Sequence, residues 1–291
     1  MNNTLKNTII DAYGFSNEKS IHFFNNVNNR ILSIKYNDET YLLKKHSMLD
    51  QTAVHTLEQL FDEFQKFYIT APMMKTVNNT YIICIDGSYY SLLKKLNTNN
   101  INIKSHLKKI AQKIAMMHMV MDKVKNKTLK SPLFVSTEKN ISLLENYNLS
   151  YLIPIITNDV FNPICFQLVH NDLHIGNVIA TNSDNIYIID FDCLSYNSLI
   201  ADIVFAAFRL TGGFQTPFIN FLKYYDEISP INRSEIQFGY LFLLKDFTRK
   251  LCFILKEHER GNFFYYNKDL KKYLNFIRET KIMNEKGKLN F

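Results

Sequence analysis

The sequence has few cysteines and no long apolar segment, and both absences narrow the class of protein. Its four cysteines lie far apart, without paired metal-ligand spacing: Cys84, Cys165, Cys193 and Cys252. We therefore predict reduced thiols and no structural zinc. No run of about 18 apolar residues exists to cross a bilayer, and the N-terminus lacks the basic-then-apolar profile of a signal peptide. These absences predict a soluble, cytoplasmic protein without a membrane partner.

Charge of one sign is not concentrated in any part of the chain. The sequence contains 34 Lys and Arg against 27 Asp and Glu, a net charge of +7, which suits an anionic ligand such as a nucleotide. Since there is no long Lys/Arg run, we do not expect a nucleic-acid partner. With 291 residues, 46% of them hydrophobic, the chain can form one large domain or two lobes.

The most informative stretch is residues 168–192. A short apolar run leads into a turn that contains four polar side chains: His170, Asp172, His174 and Asn177. Two apolar segments follow at 178–180 and 186–189, joined by a polar turn, and the second ends in Asp190-Phe-Asp192. This pattern predicts a β-hairpin with carboxylates at its base.

The spacing of these residues matches the requirements of phosphoryl transfer. In kinase-type sites one Asp receives the proton of the attacking hydroxyl, while an Asn five positions later and a separate Asp at a strand end hold the magnesium ions on the nucleotide phosphates. Asn177 lies five residues after Asp172, and Asp190 lies 18 after it. We therefore predict Asp172 as the catalytic carboxylate and Asn177 and Asp190 as ligands of Mg²⁺ and nucleotide.

The segment resembles the kinase-fold small-molecule phosphotransferases, a family that includes aminoglycoside phosphotransferases, choline kinases and type II homoserine kinases. His174 stands where common protein kinases have Lys, and the triplet that ends at Asp192 is Asp-Phe-Asp rather than Asp-Phe-Gly. Asn171 departs from the Gly that is commoner in the family. Together with the later Ser195-Tyr-Asn197, it resembles the choline kinase variant.

The resemblance implies an α+β, two-lobed protein-kinase-like fold, with an N-terminal five-stranded antiparallel sheet plus helix and a mainly helical C-terminal lobe. We expect residues 1–96 to form the nucleotide-binding lobe and residues 97–291 the catalytic and acceptor-binding lobe. The resemblance further implies catalytic roles for His170 and His174, a metal-binding role for Asp192 and support of the loop by Asp202.

The N-terminal region shows the pattern of a small antiparallel sheet. We predict strands at residues 21–24, 30–36 and 40–46, helices at 8–13 and 50–68, and a hairpin of residues 81–85 and 88–93. The turn at residues 25–29 has no glycine, unlike the phosphate-covering loop of protein kinases. We expect its asparagines, which tolerate left-handed backbone angles, to take that place.

Four residues of this region are predicted to bind the nucleotide: Lys44, Glu58, Leu92 and Leu93. By its resemblance to the family's strand, Lys44 would contact the phosphates, whereas Lys45 points to the opposite face. Glu58, with Glu63 as the alternative, would pair with Lys44. Leu92 and Leu93 would open a hinge whose backbone holds the adenine, and residues 97–102 would link the lobes.

The C-terminal region is predicted to be helical. We expect helices near residues 103–124, 142–152, 199–210, 215–225, 234–257 and 268–280. In the family such helices form the acceptor pocket. Candidates by location alone are Tyr224, Tyr225, Asp226, Tyr240, Asp246 and Arg249.

The sequence therefore predicts an ATP-dependent, Mg²⁺-assisted phosphotransferase that acts on a hydroxyl of a small molecule, with GTP as a possible donor. An amino alcohol such as choline, an amino acid and a sugar remain open as acceptors; choline would need an aromatic cage, for which the chain offers 17 Tyr but no Trp. An aminoglycoside is less favoured, because residues 213–291 contain nine acidic and fourteen basic side chains.

Two rival functions remain, one from another class and one a different enzyme. A catalytically idle protein that binds a nucleotide or a protein would be expected to lack one of the motif residues, and none is missing. A protein Ser/Thr kinase is disfavoured by His174 and by the lack of an Ala-Pro-Glu segment after Asp192. The oligomeric state is not predicted.

Overall fold

The computed structural model describes residues 3–16, 21–25, 30–47, 49–124, 129, 138–157, 165–214 and 216–286. The predicted phosphate-covering turn lies outside the described residues, apart from the backbone of Asn25. No helix in the described ranges is long and apolar enough to cross a membrane.

The N-terminal part is a five-stranded antiparallel sheet, as predicted. Its strands are β1 His22–Asn25, β2 Ile31–Tyr36, β3 Glu39–His46, β4 Ile82–Ile85 and β5 Ser88–Lys94, in the order β1-β2-β3-β5-β4. Asn37 and Asp38 between β2 and β3, and Asp86 and Gly87 between β4 and β5, all have positive φ, as tight two-residue hairpin turns require. Helix α1, Asn3–Tyr13, packs its apolar side against one face of the sheet.

Helix α2, Gln51–Lys66, connects the sheet to the rest of the molecule. Asp50 caps its N-terminus by accepting a hydrogen bond from Ala53 N at 2.8 Å. Its buried face includes Phe61 and Phe64, whose ring centroids lie 6.1 and 5.0 Å from that of Phe191. The predicted helical stripe therefore packs directly on the Asp-Phe-Asp triplet.

The C-terminal part is mainly helical, also as predicted. Its helices are α3 Ile103–Met121, α4 Glu138–Asn146, α5 Ile153–Thr157, α6 Leu199–Thr211, α7 Thr216–Asp226, α8 Ile236–Glu259 and α9 Phe263–Lys286. Helix α6 is buried over almost its whole length and ends at Gly212, which has a φ of 76°. Helix α9 begins at Phe263, earlier than the predicted residue 268. The prediction was late because the aromatic residues 263–266 show no helical periodicity in the sequence.

Two small sheets hold the motif segment. Strand β7, Phe166–Val169, pairs with β10, Ser195–Ser198, while β8, Val178–Thr181, pairs with β9, Ile186–Ile188. Strand β6, Thr98–Asn99, lies in the predicted linker and pairs with β8. The short β6 and β10 were missed because two to four polar residues give no alternating apolar signal.

Candidate active site

The motif loop, residues 170–177, is held by hydrogen bonds to Asp202 in the first turn of α6. The Asp202 carboxylate accepts hydrogen bonds from His170 N at 3.2 Å and from Asn171 N at 2.8 Å. It also lies 3.0 Å from Nε2 of His118 on α3. Burial opposes ionisation of Asp202, but the hydrogen bond and charge of His118 outweigh it and lower the pKa of the carboxyl group.

His170 is fully buried within the loop. Its Nε2 lies 3.0 Å from the Ile189 carbonyl, and its Nδ1 accepts a hydrogen bond from Asp172 N at 3.3 Å. Complete burial lowers the pKa of the imidazole in spite of the neighbouring carboxylates. A neutral ring with its proton on Nε2 satisfies both contacts, so these two hydrogen bonds hold His170 within the loop.

The backbone conformation of Asn171 explains why asparagine can replace the glycine that is commoner at this position. Its φ is 63°, a left-handed backbone angle that glycine and asparagine tolerate best. The side chain uses this position to donate to Ser195 Oγ at 2.6 Å and to the Cys193 carbonyl at 3.0 Å, and to accept from Asn197 Nδ2 at 2.9 Å. Asn171 therefore ties the loop to the start of β10.

Asp172 lies at the open side of the loop, with its side chain 40% exposed. Asn177 Nδ2 donates to the Asp172 carbonyl at 2.8 Å and to its Oδ2 at 3.2 Å. The guanidinium of Arg209 on α6 donates to Oδ1 at 3.4 Å, and His174 Nε2 lies 3.5 Å from Oδ2. Asp172 is thus oriented by three neighbours, yet its carboxylate can be reached from outside.

Lys44 of β3 joins the sheet to the Asp-Phe-Asp triplet. Its Nζ lies 2.7 Å from Oδ1 of Asp190 and 2.7 Å from Oδ1 of Asp192. Asp190 has a φ of 67°, which turns the chain sharply at the first residue of the triplet. Asp192 is only 8% exposed; burial opposes its ionisation, but His46 and Lys44 hold its pKa well below the ordinary value.

The predicted pairing of Glu58 with Lys44 is not present. Both carboxylate oxygens of Glu58 instead accept hydrogen bonds from the backbone amide of Tyr81, at 2.9 Å each, and Oε1 also accepts from Ile82 N at 2.7 Å. These two amides lie at the start of β4, and the Glu58 carboxylate satisfies them. The alternative, Glu63, pairs with Lys66.

The predicted hinge begins too early in the chain. Leu92 and Leu93 lie inside β5, opposite Leu43 and Leu42 of β3. The Leu92 side chain is fully buried, and its carbonyl accepts a hydrogen bond from Met74 N at 2.8 Å. That carbonyl is therefore already used, and the connection to the helical part starts only after Lys94, where β5 ends.

Three polar side chains of the site, those of His46, Arg209 and His118, were not predicted. His46 Nδ1 lies 2.6 Å from Asp192 Oδ1 and its Nε2 lies 2.9 Å from Ser91 Oγ. Arg209 and His118 contact Asp172 and Asp202 as described above. The spacing Lys44-x-His46 could have revealed the contact of His46 with Asp192, since alternate residues of a strand share a face. Arg209 and His118 lie in helices distant in sequence and gave no local signal.

The oxygen donors of the site fit a hard cation such as Mg²⁺. They are two carboxylates, Asp190 and Asp192, and the amide of Asn177, whose nitrogen is used by Asp172 and whose oxygen could therefore bind a cation. The described residues include no group of three or more His, Cys, Asp or Glu side chains that could hold a metal by itself. Mg²⁺ is commonly held by one or two carboxylates together with substrate phosphates.

Comparisons with known proteins bear on the fold and on the segment that contains the motif. Residues 165–233 match the Phosphotransferase enzyme family, and no curated protein sequence matches the chain. An aminoglycoside phosphotransferase from Alicyclobacillus acidocaldarius superposes with a TM-score of 0.65 at 13% identity, over 92% of this chain and 93% of that one. The choline kinase LicA from Streptococcus pneumoniae gives 0.58 at 16% identity, over 98% of both chains.

A third solved structure is a spectinomycin phosphotransferase in complex with ADP and spectinomycin. It superposes with a TM-score of 0.53 at 14% identity, over 97% of this chain and 94% of that one. The sequence resemblance is thereby confirmed: the chain has the kinase-like fold of the small-molecule phosphotransferases and contains their motif segment.

Proposed function

We propose that the protein is an ATP-dependent, Mg²⁺-assisted phosphotransferase that acts on a hydroxyl group of a small molecule. The observation that supports this most directly is the joining of two halves of one site. Lys44 of the sheet contacts Asp190 and Asp192, while Asn177 contacts Asp172. The halves are linked through the backbone, since Ile189 N donates to the Asn177 carbonyl at 3.0 Å.

In the proposed reaction the acceptor hydroxyl oxygen attacks the γ-phosphorus of ATP, and the bond from that phosphorus to the β,γ-bridging oxygen breaks. Asp172 orients the hydroxyl and receives its proton. Lys44 binds the donor phosphates, and Asp190, Asp192 and Asn177 would hold Mg²⁺. When bound, the cation would neutralise the charge that develops on the phosphate oxygens. His170 and Asp202 hold the loop, so catalysis is mainly positioning and charge stabilisation.

The proposed donor nucleotide is supported by the ligands of similar solved structures. The solved structures of the same fold include complexes with ADP, AMP and GDP. We propose ATP as the donor, with GTP as the alternative. We also propose that residues 1–96 form the nucleotide-binding lobe and residues 97–291 the catalytic lobe, since the connection begins just after Lys94 at the end of β5.

The test is ATP consumption by the purified protein with Mg²⁺ over a panel of amino alcohols, sugars, hydroxy acids, hydroxy amino acids and aminoglycosides. The matched variant is Asp172→Asn, which keeps the shape of the side chain and removes its charge. Turnover of an acceptor that falls by about 10²-fold or more in the variant supports the proposal. Absence of nucleotide binding, or turnover that is unchanged in Asp172→Asn, would overturn it.

A further inference from the structure

A cluster of cations lies between α6 and α8, and one of its members, Arg209, contacts Asp172. Arg209 on α6 and Arg249 and Lys250 on α8 all pair with one carboxylate, that of Asp246. The nitrogen–oxygen distances are 3.3 Å for Arg209, 3.0 Å for Arg249 and 2.6 Å for Lys250. We call these four residues the cation cluster. One buried anion thus anchors three positive side chains.

The cluster reaches the candidate active site through Arg209. Its NH2 atom is the one that pairs with Asp246, whereas its NH1 atom lies 3.4 Å from the Asn171 carbonyl and 3.4 Å from Asp172 Oδ1. The guanidinium also lies over the ring of Phe205, 5.3 Å from its centroid. Arg209 is therefore held in a fixed position between the proposed base and the other two cations.

The positive charge of the cluster exceeds what Asp246 can neutralise. Asp246 is only 3% exposed, while Arg249 is 42% and Lys250 32% exposed, so the cations and not the anion face outward. Burial lowers the pKa of Lys250, and the charges of Arg209 and Arg249 lower it further against the pull of Asp246. The carboxylates that contact the loop are already paired, Asp202 with His118 and Asp172 with Arg209.

We propose that the acceptor carries an anionic group, a carboxylate or a phosphate, near the hydroxyl that is phosphorylated, and that Arg249 and Lys250 bind this group while Arg209 orients it. This inference rests on the proposed function and narrows its acceptor to a hydroxy acid, a hydroxy amino acid or a phosphorylated alcohol. Charge-assisted hydrogen bonds from guanidinium and ammonium groups are the usual means of recognising both anions.

The same geometry disfavours a polycationic acceptor. Such a molecule would have to approach Asp172 beside the positive Arg209, with Arg249 and Lys250 paired to the same Asp246, and would meet like charge where it needs carboxylates. The balance of fourteen basic to nine acidic side chains in residues 213–291 agrees with this.

The experiment compares acceptors that differ mainly in charge. Steady-state kinetics with ATP and Mg²⁺ would be measured for glycerate, glycerol 3-phosphate and glycerol, for gluconate and glucose, for homoserine and ethanolamine, and for choline and kanamycin. Glycerate against glycerol 3-phosphate distinguishes the carboxylate from the phosphate. We expect kcat/KM for one of the anionic compounds to exceed that of its neutral partner by at least about tenfold.

The variants are Arg249→Gln and Lys250→Gln. In each of them Arg209 still pairs with Asp246, so the buried carboxylate keeps an ion-pair partner. We expect each variant to raise the KM for the anionic acceptor about tenfold or more and to change the KM for ATP by less than about twofold. Arg260→Gln is the charge-matched control, because Arg260 follows α8 directly, about 16 Å farther along its axis than Arg249.

The outcomes separate this inference from the proposed function. Turnover that depends on Asp172 but favours neutral or cationic acceptors would overturn the inference and leave the proposed function standing. So would variants that raise the KM for ATP and not that for the acceptor, or an equal effect of Arg260→Gln. No phosphorylation of any compound on the panel would count against both.

Discussion

His46 Nδ1 lies 2.6 Å from Oδ1 of Asp192, and this contact ties strand β3 to the Asp-Phe-Asp triplet. Lys44, two residues earlier on the same face, contacts the same oxygen at 2.7 Å. The sheet therefore holds Asp192, a candidate metal ligand, through two side chains of β3. Glu58 of α2 does not contribute to this contact, because its carboxylate binds the amide of Tyr81. A neutral imidazole satisfies both contacts if Nδ1 donates to Asp192 and Nε2 accepts from Ser91.

Replacing His46 should lower both the stability of the folded protein and the rate of its reaction. His46→Leu leaves Asp192 without one buried hydrogen bond, which costs on the order of 1–3 kcal/mol. We expect a lower urea midpoint and a reduced kcat, measured on the same preparation. His55→Leu, on the exposed side of α2, is the matched control and should change neither quantity much. Normal stability and turnover in His46→Leu would contradict the role of this contact.

Lys44 and Lys45 provide an internal comparison on one strand. Lys44→Met removes the ammonium that contacts Asp190 and Asp192, so we expect the KM for ATP to rise and kcat to fall, together by about 10²-fold in kcat/KM. Lys45 points away from the site and lies over the ring of Tyr90. Lys45→Met should therefore stay within about threefold of the parent protein. Equal losses in the two variants would show that charge in general, and not the Lys44 position, matters.

Asn171 allows the backbone and side-chain contributions to be separated. Asn171→Gly keeps the backbone angle accessible but removes the contacts with Ser195, Cys193 and Asn197. Asn171→Ala removes the same contacts and adds the strain of a φ of 63°. We expect the alanine variant to be less stable than the glycine variant by about 1 kcal/mol, as measured by urea unfolding. The reverse order would exclude backbone strain as the reason for Asn or Gly at this position.

Glu58 should matter for stability and not for nucleotide binding. Glu58→Ala leaves the backbone amides of Tyr81 and Ile82 without their acceptor, a loss of about 1–3 kcal/mol in the free energy of unfolding. The KM for ATP should not change, because Lys44 keeps its two carboxylates. Glu63→Ala, which breaks only an exposed pair with Lys66, is the control for stability. A large rise in the KM for ATP in Glu58→Ala would instead restore the Lys44–Glu58 pairing predicted from the sequence.

The buried His170 should make the fold sensitive to mild acid. Its pKa is lowered in the folded protein, so the unfolded chain binds more protons between that value and the ordinary one of about 6.5. Stability is therefore fully present above about pH 6.5 and falls as the pH drops toward the folded-state pKa. Urea unfolding from pH 7.5 to 5 would show a smaller loss in His170→Gln than in the parent protein. Identical pH profiles would contradict a buried, neutral His170.

The sequence by itself determined the parts of the molecule whose information is local. Alternating apolar residues and the Asp86-Gly87 turn specified the N-terminal strands, and the apolar stripe of α2 specified that helix, because each pattern repeats within one element. The spacing of Asp172, Asn177 and Asp190 suggested their chemistry in the same way. The predictions of helix ends and of strands of two to four residues were less accurate, since neither feature has a repeat long enough to detect.

Only the tertiary structure decided which charged groups meet. Glu58 is on the expected helix, but its carboxylate accepts hydrogen bonds from the backbone amides of Tyr81 and Ile82 instead of pairing with Lys44. Leu92 is the first residue of the predicted hinge, but it lies inside β5 and its carbonyl accepts a hydrogen bond from Met74 N. Arg209 and Arg249 converge on Asp246 from two helices. Such pairings depend on distances between residues far apart in sequence and on competition for a few buried donors and acceptors, and no local pattern encodes either.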